Sequence, residues 1–150
     1  MMPPAKYRVL FVCVGNACRS QMAEAFARTY GSDVLVPASA GVSPAIGVAP
    51  DSIRAMKEKN IDLRDHFPKS LGHLGRAEFD IIINMTGSFL PKAFRGRLVD
   101  WEVEDPYFLD YQEHCRVRDA IETRVMNLVL ELRNAPRTLF RGQGSGHLES

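Results

Sequence analysis

The sequence lacks several features that would place it outside the cell, in a membrane or on nucleic acid. Its three cysteines cannot all pair and include neither a C-x-x-C motif nor a Cys/His zinc pattern, which favours thiol chemistry in a reducing compartment. The 19 basic and 18 acidic residues leave a net charge of only +1. The apolar run Val9 to Val14 is too short for a signal-peptide core or a membrane span. We therefore expect a cytoplasmic protein with no nucleic-acid and no membrane partner.

Common nucleotide and metal motifs are missing as well. There is no G-x-G-x-x-G and no glycine-rich loop that ends in Lys-Ser or Lys-Thr, so dinucleotide and P-loop NTPase sites lack their required residues. No cluster of metal ligands stands out, and we expect no metal and no cofactor. What the chain does have is 45% hydrophobic content over 150 residues, enough for one domain over residues 1–150 with a substantial core.

The order of patterns along the chain predicts alternating strands and helices. A Val-, Leu- and Phe-rich segment predicts a buried strand over Lys6 to Val14, and apolar residues at helical spacing predict a helix over Arg19 to Tyr30. This alternation indicates a single-domain α/β fold, a four-stranded parallel sheet with helices on both faces, and flexible ends at residues 1–5 and 142–150. The other predicted elements are a strand that begins over Val34 to Pro37, a helix over Asp51 to Asn60, strands over Asp80 to Met85 and Arg97 to Asp100, and a long helix with the apolar stripe Val117, Ile121, Val125, Leu128 and Leu132, ended by Pro136.

The segment Cys13 to Ser20 joins the first strand directly to the first helix, at the carboxyl end of a strand where such sheets bind ligands. Backbone N–H groups that converge at the positive end of a helix dipole form an anion site. Gly15 and Asn16 tolerate the left-handed backbone that such a loop requires. The candidate anion-binding residues are Val14, Gly15, Asn16, Ala17, Cys18, Arg19 and Ser20.

Three side chains in this segment suit nucleophilic chemistry on an oxyanion. A thiol ionises more readily at a helix N-terminus beside an arginine, which makes Cys13 the candidate nucleophile. Arg19 offers a planar fork for two oxygens, and the Ser20 hydroxyl can donate to a thiolate. The alternative is a small buried cysteine followed by an ordinary Gly-Asn turn. The complete C-x5-R-S string between a strand and a helix favours catalysis.

The segment Val9 to Ser20 resembles the signature of the low-molecular-weight protein tyrosine phosphatase family, which includes arginine phosphatases and arsenate reductases. The similarity continues through Ser39-Ala40-Gly41, Asp105-Pro106-Tyr107 and the last helix, and covers most of residues 6 to 133. It implies a nucleophilic thiolate at Cys13, phosphate binding by Arg19 and the loop amides, and Asp105 as general acid. Asp105 would first protonate the leaving oxygen and then activate the water that attacks phosphocysteine.

The resemblance also implies supporting residues. By it, Ser20 supports the thiolate, Asn16 holds the shape of the loop, and His66 braces the asparagine. Cys18 would form a reversible disulfide with Cys13, the alternative being a buried structural thiol. Cys115 and the histidines His73, His114 and His147 receive no role.

This sequence departs from the family pattern at several positions. Pro44 stands where the family has an aromatic pocket wall, which leaves Tyr107 and Phe108 to form the opposite wall. Ala17 replaces the usual Ile or Thr, and Gln21 replaces the usual Pro after the serine. The acidic residue that often follows the family's methionine is absent after Met85. Arsenate reductases of the family relay a disulfide through cysteines after the third strand, and residues 81–96 contain none.

The function expected from these residues is a cysteine-dependent phosphatase that acts through a phosphocysteine intermediate. Its substrate would be a phosphorylated protein, of phosphotyrosine type, or a small aryl phosphate. Three alternatives stay open: a thiol-dependent arsenate reductase coupled to a thioredoxin-like reductant, a phosphoarginine phosphatase, and a noncatalytic phosphate-binding module.

Overall fold

The computed structural model describes residues 5–135, which form four strands and three α-helices. The order across the sheet is β2-β1-β3-β4, and each neighbouring pair is parallel, which confirms the predicted single-domain α/β fold and its four-stranded parallel sheet. The predictions of flexible ends fall outside the described residues, except at residue 5. The strands are β1 Tyr7–Cys13, β2 Leu35–Gly41, β3 Ile81–Asn84 and β4 Arg97–Asp100.

Strand β1 lies between β2 and β3 and is buried on both faces, as its continuous apolar run predicts. Phe11 and Cys13 belong to the larger core, and Leu10 and Val12 belong to the smaller core on the opposite face. A one-residue slip would exchange the two sets of side chains, so the register is strongly specified. That register pairs Cys13 with Gly41, the last residue of β2.

The helices are α1 Arg19–Gly31, α2 Pro50–Lys57 and α3 Tyr111–Asn134. Helices α1 and α3 pack on the sheet through the larger core, and every residue of the predicted stripe on α3 is buried. The other face is covered by a 3₁₀ helix, Leu71–Leu74, and by neighbouring apolar loop residues. Within residues 5–135, none of these helices combines the length and apolar character needed to cross a bilayer.

Most observed bounds lie within one residue of the predicted ones, and two elements differ by more. Helix α2 ends at Lys57, before the predicted end at Asn60, because the chain reverses there and Asn60 adopts a left-handed φ of 61°. Strand β2 continues to Gly41, since pairing with β1 carries the Ser39-Ala40-Gly41 segment into the sheet. Strand β4 has the predicted bounds. The proline predicted to end the last helix lies beyond the described residues.

Candidate active site

The loop between β1 and α1 is fastened to the segment that follows β2. Backbone hydrogen bonds run from Ser43 N to Val14 O at 2.8 Å and from Ala45 N to Gly15 O at 2.9 Å. Asn16 adopts a φ of 50°, whereas Gly15 does not adopt a positive φ. The left-handed turn predicted for the Gly-Asn pair is therefore made by the asparagine. No side chain caps α1, so its first N–H groups remain available to an anion.

The Cys13 thiol lies at the base of this loop and is only 2% exposed. Its Sγ is 2.9 Å from Ser20 Oγ and accepts a hydrogen bond from Asn16 N at 3.2 Å. A hydroxyl and a backbone N–H that both reach the sulfur stabilise negative charge on it. The Cys13 sulfur thus lies within reach of a hydroxyl and a backbone N–H, the donors that a nucleophilic sulfur would need.

Asn16 connects the loop to the rest of the fold. Its Nδ2 donates to Ser20 Oγ at 2.7 Å and to Ser39 Oγ at 3.0 Å, and its Oδ1 accepts from Lys69 N at 2.9 Å. Ser39 in turn donates to the buried carboxylate of Glu24. Because every polar atom of the amide is occupied, Asn16 has one orientation, and this orientation fixes Ser20 beside the nucleophile.

His66 reaches this network through Gln21. The His66 Nδ1 lies 3.0 Å from Gln21 Oε1, and Gln21 Nε2 donates to Asn16 Oδ1 at 3.0 Å. Since the amide nitrogen of Gln21 is the donor to Asn16, its oxygen accepts from His66. Burial lowers the pKa of His66 and favours the neutral ring. The resemblance implies that His66 braces Asn16. In the structure this contact is indirect and runs through Gln21, the residue that replaces the family's proline.

Arg19 is buried below the mouth of the site. Its Nη1 donates to Met85 O and to Val103 O, the latter at 3.1 Å, and its Nη2 lies 3.3 Å from Asp105 Oδ2. Among the described residues, Arg19 Nε is a buried side-chain nitrogen that has no hydrogen-bond partner. The two carbonyls hold the guanidinium in place, and an oxyanion would satisfy the remaining donor.

Asp105 and the predicted wall residues surround a cavity of 380 Å³ above Cys13. Asp105 is 45% exposed, and its Oδ1 accepts from Tyr107 N at 3.1 Å, which sets the turn of its loop. Tyr107 and Phe108 meet edge to face with ring centroids 4.8 Å apart, and Pro44 lies on the cavity wall with them. A carboxyl and a thiol thus line one cavity, and the carboxyl is the more exposed of the two.

The two other cysteines differ in position. Cys18 is buried and lines the same cavity as Cys13. Burial raises the pKa of the Cys18 thiol to about 12, against a smaller lowering effect of the neighbouring Ser52 side chain. Cys115 lies on α3 near Glu58, with Sγ 4.0 Å from Oε2, outside the residues that line the cavity.

The sequence analysis assigned no site role to three residues that the structure connects to Asn16: Gln21, Ser39 and Lys69. Single glutamine, serine and lysine residues carry no pattern, so only the packed structure reveals these contacts. Within residues 5–135, no three His, Cys, Asp or Glu side chains converge in a metal-ligand arrangement.

Fold and site together define a class of protein, an α/β enzyme that carries a cysteine and an arginine in the loop between its first strand and first helix. The sequence model of the low molecular weight phosphotyrosine protein phosphatase family matches residues 8–137, which include Cys13, Arg19 and Asp105. The chain belongs to the low molecular weight phosphotyrosine protein phosphatase family.

Several proteins similar to this chain are arsenate reductases. The arsenate reductase of Brevibacillus brevis is 36% identical over 124 residues, which cover 80% of this chain and 92% of that protein. The glutaredoxin arsenate reductase of Synechocystis sp. is 32% identical over 129 residues, 83% of this chain and 98% of that protein. A solved arsenate reductase in the phosphate binding state has a TM-score of 0.74 at 30% identity, over 84% of this chain and 98% of that one.

Proposed function

We propose that this protein is a thiol-dependent arsenate reductase. One observation carries the proposal: two thiols, Cys13 and Cys18, line a single cavity beside a guanidinium whose buried Nε has no protein partner. Arsenate is a tetrahedral oxyanion that such a fork and loop can bind, and its reduction consumes two thiols. The similarity to arsenate reductases over most of their length supports this reading over the phosphatase function first expected.

The proposed reaction begins with attack of the Cys13 thiolate on arsenic. An S–As bond forms, and one arsenate oxygen leaves as water after it takes a proton from Asp105. A second thiol then attacks Cys13 Sγ and loses its proton, while the S–As electron pair departs with arsenic. Arsenic(V) becomes arsenite, and the two thiols become a disulfide.

The second thiol must come from a nearby residue or from solution. Cys115 does not line the cavity, and residues 81–96 supply no cysteine. Cys18 shares the cavity with Cys13 and is the second thiol within the described residues. A thioredoxin-like or glutaredoxin-like dithiol would then reduce the Cys13–Cys18 disulfide, in the reducing cytoplasm where we place the reaction.

Coupled turnover tests this function directly. Purified protein, arsenate, NADPH, thioredoxin and thioredoxin reductase are expected to consume NADPH and release arsenite, and a second assay replaces thioredoxin with glutathione and glutaredoxin. Cys13→Ser should abolish turnover, whereas the matched variant Cys115→Ser should retain it. If neither reductant system supports arsenite release by the wild-type protein, the proposed function is wrong.

A phosphatase function is the second candidate, and the placement of Asp105 favours it. Its carboxyl group lies at the cavity mouth, 3.3 Å from Arg19 Nη2, beside the exposed ring of Phe108. That arrangement suits protonation of the leaving oxygen of a phosphorylated protein or an aryl phosphate. The same preparation should therefore be assayed on aryl phosphate, phosphotyrosine and phosphoarginine. Cys13-dependent turnover that Asp105→Asn slows, together with no arsenite release, would establish the phosphatase instead.

A further inference from the structure

The oxyanion loop, Cys13 to Ser20, has its backbone carbonyls held by hydrogen bonds along residues 13–18. Five of these carbonyls accept from backbone N–H groups at 2.8–3.2 Å: Cys13 O from Val42 N, Val14 O from Ser43 N, Gly15 O from Ala45 N, Ala17 O from Ala49 N and Cys18 O from Met22 N. The sixth, Asn16 O, accepts from the side chain of Gln21, whose Nε2 is 3.2 Å away. The direction of the Asn16–Ala17 peptide group therefore depends on one side chain, whereas the neighbouring carbonyls are held by backbone groups.

The carboxamide of Gln21 is buried, and its contacts fix its orientation. Its Nε2 also lies 3.0 Å from Phe67 O and 3.0 Å from Asn16 Oδ1. Backbone carbonyl oxygens only accept hydrogen bonds, so the amide nitrogen must face Asn16 O and Phe67 O. The amide oxygen then faces His66 Nδ1 at 3.0 Å, and this ring nitrogen carries the hydrogen. A rotated amide would place its oxygen against these acceptors, so Gln21 holds the loop with its nitrogen.

The direction of the Asn16 carbonyl determines where the next N–H points. The C=O and N–H of a trans peptide group point in opposite directions. With Asn16 O turned towards Gln21, the N–H of Ala17 is turned to the opposite side. Ala17 lines the cavity that Cys13 also lines. A rotation of this peptide group would instead present a carbonyl oxygen, which repels an oxyanion.

Asn16 needs this support because its backbone conformation is unfavourable for a residue with a side chain. It has a φ of 50°, in the left-handed region that a Cβ disfavours. Its own N–H donates to Cys13 Sγ at 3.2 Å. Gln21 binds both the carbonyl and the side chain of Asn16, so it stabilises the left-handed turn that brings this N–H to the sulfur.

We propose that Gln21 is a positioning residue that keeps the N–H of Ala17 directed at a bound oxyanion. Gln21 is not one of the residues that line the cavity, so it acts through the loop and not by contact with the substrate. The inference rests on the oxyanion-binding step of the proposed function, a step that arsenate and phosphate share. Proline, the usual residue of the family at this position, has no side-chain donor and cannot make these hydrogen bonds.

Sulfate binding tests this role, because sulfate is a tetrahedral dianion that does not titrate at the pH values used. Gln21→Met removes the donors and keeps a side chain of similar length. Sulfate affinity, measured by calorimetry, should fall by about 10–100-fold, the effect of leaving a buried carbonyl unpaired. In NMR spectra of the wild type, the amide proton of Ala17 should shift downfield when sulfate is added, and Gln21→Met should lose this shift. A role in packing alone would change neither measurement.

Gln21→Glu tests the donor itself. Its side chain has the same shape, but a carboxylate would turn an oxygen without a hydrogen towards Asn16 O and Phe67 O, whereas a protonated carboxyl group can donate one hydrogen bond there. At about pH 8 this variant should bind sulfate more weakly than Gln21→Met, and at about pH 5, where a buried carboxyl group keeps its proton, more tightly. A charge effect alone would raise its affinity only to that of Gln21→Met.

The same ionisable groups surround this position in every variant, so each comparison is made at one pH. These groups are His66, which contacts Gln21, and the residues that act on His66, which are Glu24, Arg28, Asp62 and Lys69. Gln112→Met and Gln112→Glu are matched controls at an exposed position of α3, and both should bind sulfate as the wild type does.

Three results would overturn the proposed role of Gln21. The first is wild-type sulfate affinity in Gln21→Met, and the second is an affinity of Gln21→Glu that stays below that of Gln21→Met at both pH values. The third is an absence of sulfate binding by the wild-type protein.

Arsenite release, measured on the same preparation, separates this inference from the proposed function. If no arsenite is released but sulfate affinity depends on Gln21 as expected, the arsenate reductase proposal fails and the positioning role stands. If arsenite is released but Gln21→Met binds sulfate as the wild type does, the proposed function stands and the role of Gln21 is wrong.

Discussion

Replacing Gly41, the last residue of β2, by alanine is expected to distort the oxyanion loop, Cys13 to Ser20, which packs against it. A Cβ at this position would lie 2.7 Å from Val14 O and 2.8 Å from Asn16 N. Both are backbone atoms, and ordinary contact lies at 3.4 Å or more, so the loop must move by about 0.5 Å or more on each side of Gly15. Asn16 cannot absorb this shift freely, because the hydrogen bonds of its amide tie it to Ser39 and Lys69.

The Gly41→Ala substitution is expected to lower both the stability of the fold and the activity of the site. Overpacking should reduce the free energy of unfolding by about 1–3 kcal/mol, measured by urea unfolding. Displacement of the amides and of the nucleophile should lower Cys13-dependent turnover by about 10²-fold, and phosphate affinity, measured by calorimetry, should fall with it.

Gly47→Ala is the matched control for this experiment. It makes the same substitution in the segment between β2 and α2, where an added Cβ would meet nothing within 4 Å. Turnover and phosphate affinity in this variant should stay close to the wild-type values. Wild-type phosphate affinity and turnover in Gly41→Ala would refute the argument that close contact with β2 holds the loop in its binding conformation.

Two further predictions concern Arg19 and Cys18. Arg19→Lys removes the planar fork and should weaken phosphate binding by about 10²–10⁴-fold, the equivalent of about 3–6 kcal/mol for two charge-assisted hydrogen bonds. The control is Arg64→Lys, a substitution of an exposed arginine. If calorimetry shows that Arg19→Lys changes phosphate affinity by less than about threefold, Arg19 does not make the proposed contact. Because the pKa of Cys18 rises from 9.0 to about 12 on folding, the folded state retains a proton that the unfolded state loses, and stability should fall as pH increases from 9 towards 12. Relative to Cys18→Ala, the free energy of unfolding of the wild type, measured with urea, should fall by about 1.4 kcal/mol per pH unit in this range. If the free energies of unfolding of the two proteins change with pH in parallel, the prediction is wrong.

The family and the position of the nucleophile follow from local patterns in the sequence. The apolar run of β1, the C-x5-R-S string and the helical spacing of α1 are contiguous, and each depends on residues within a few positions of one another. Asp105 is recognisable too, as part of an Asp-Pro-Tyr sequence, although its distance from Arg19 is a property of the fold.

Local sequence patterns do not distinguish arsenate reduction from phosphate ester hydrolysis. Both reactions use the same loop, arginine and thiolate, so the motif predicts only their shared first step. The phosphatase expectation rested on the C-x5-R-S loop and on the family resemblance, and the missing cysteines at residues 81–96 counted against the reductase. The structure places Cys18 in the cavity with Cys13, which provides a second thiol without any cysteine in that segment.

The sequence by itself determined the strand, loop and helix that present Cys13, because hydrophobic periodicity, turn residues and helix propensity act over short distances. Tertiary structure alone decided that Gln21 stands between His66 and Asn16, and that Ser52 contacts His114. The latter two residues lie on two helices and are separated by 62 positions in the chain. Their contact results from the packing of α2 and α3 behind the loop, which no local pattern encodes.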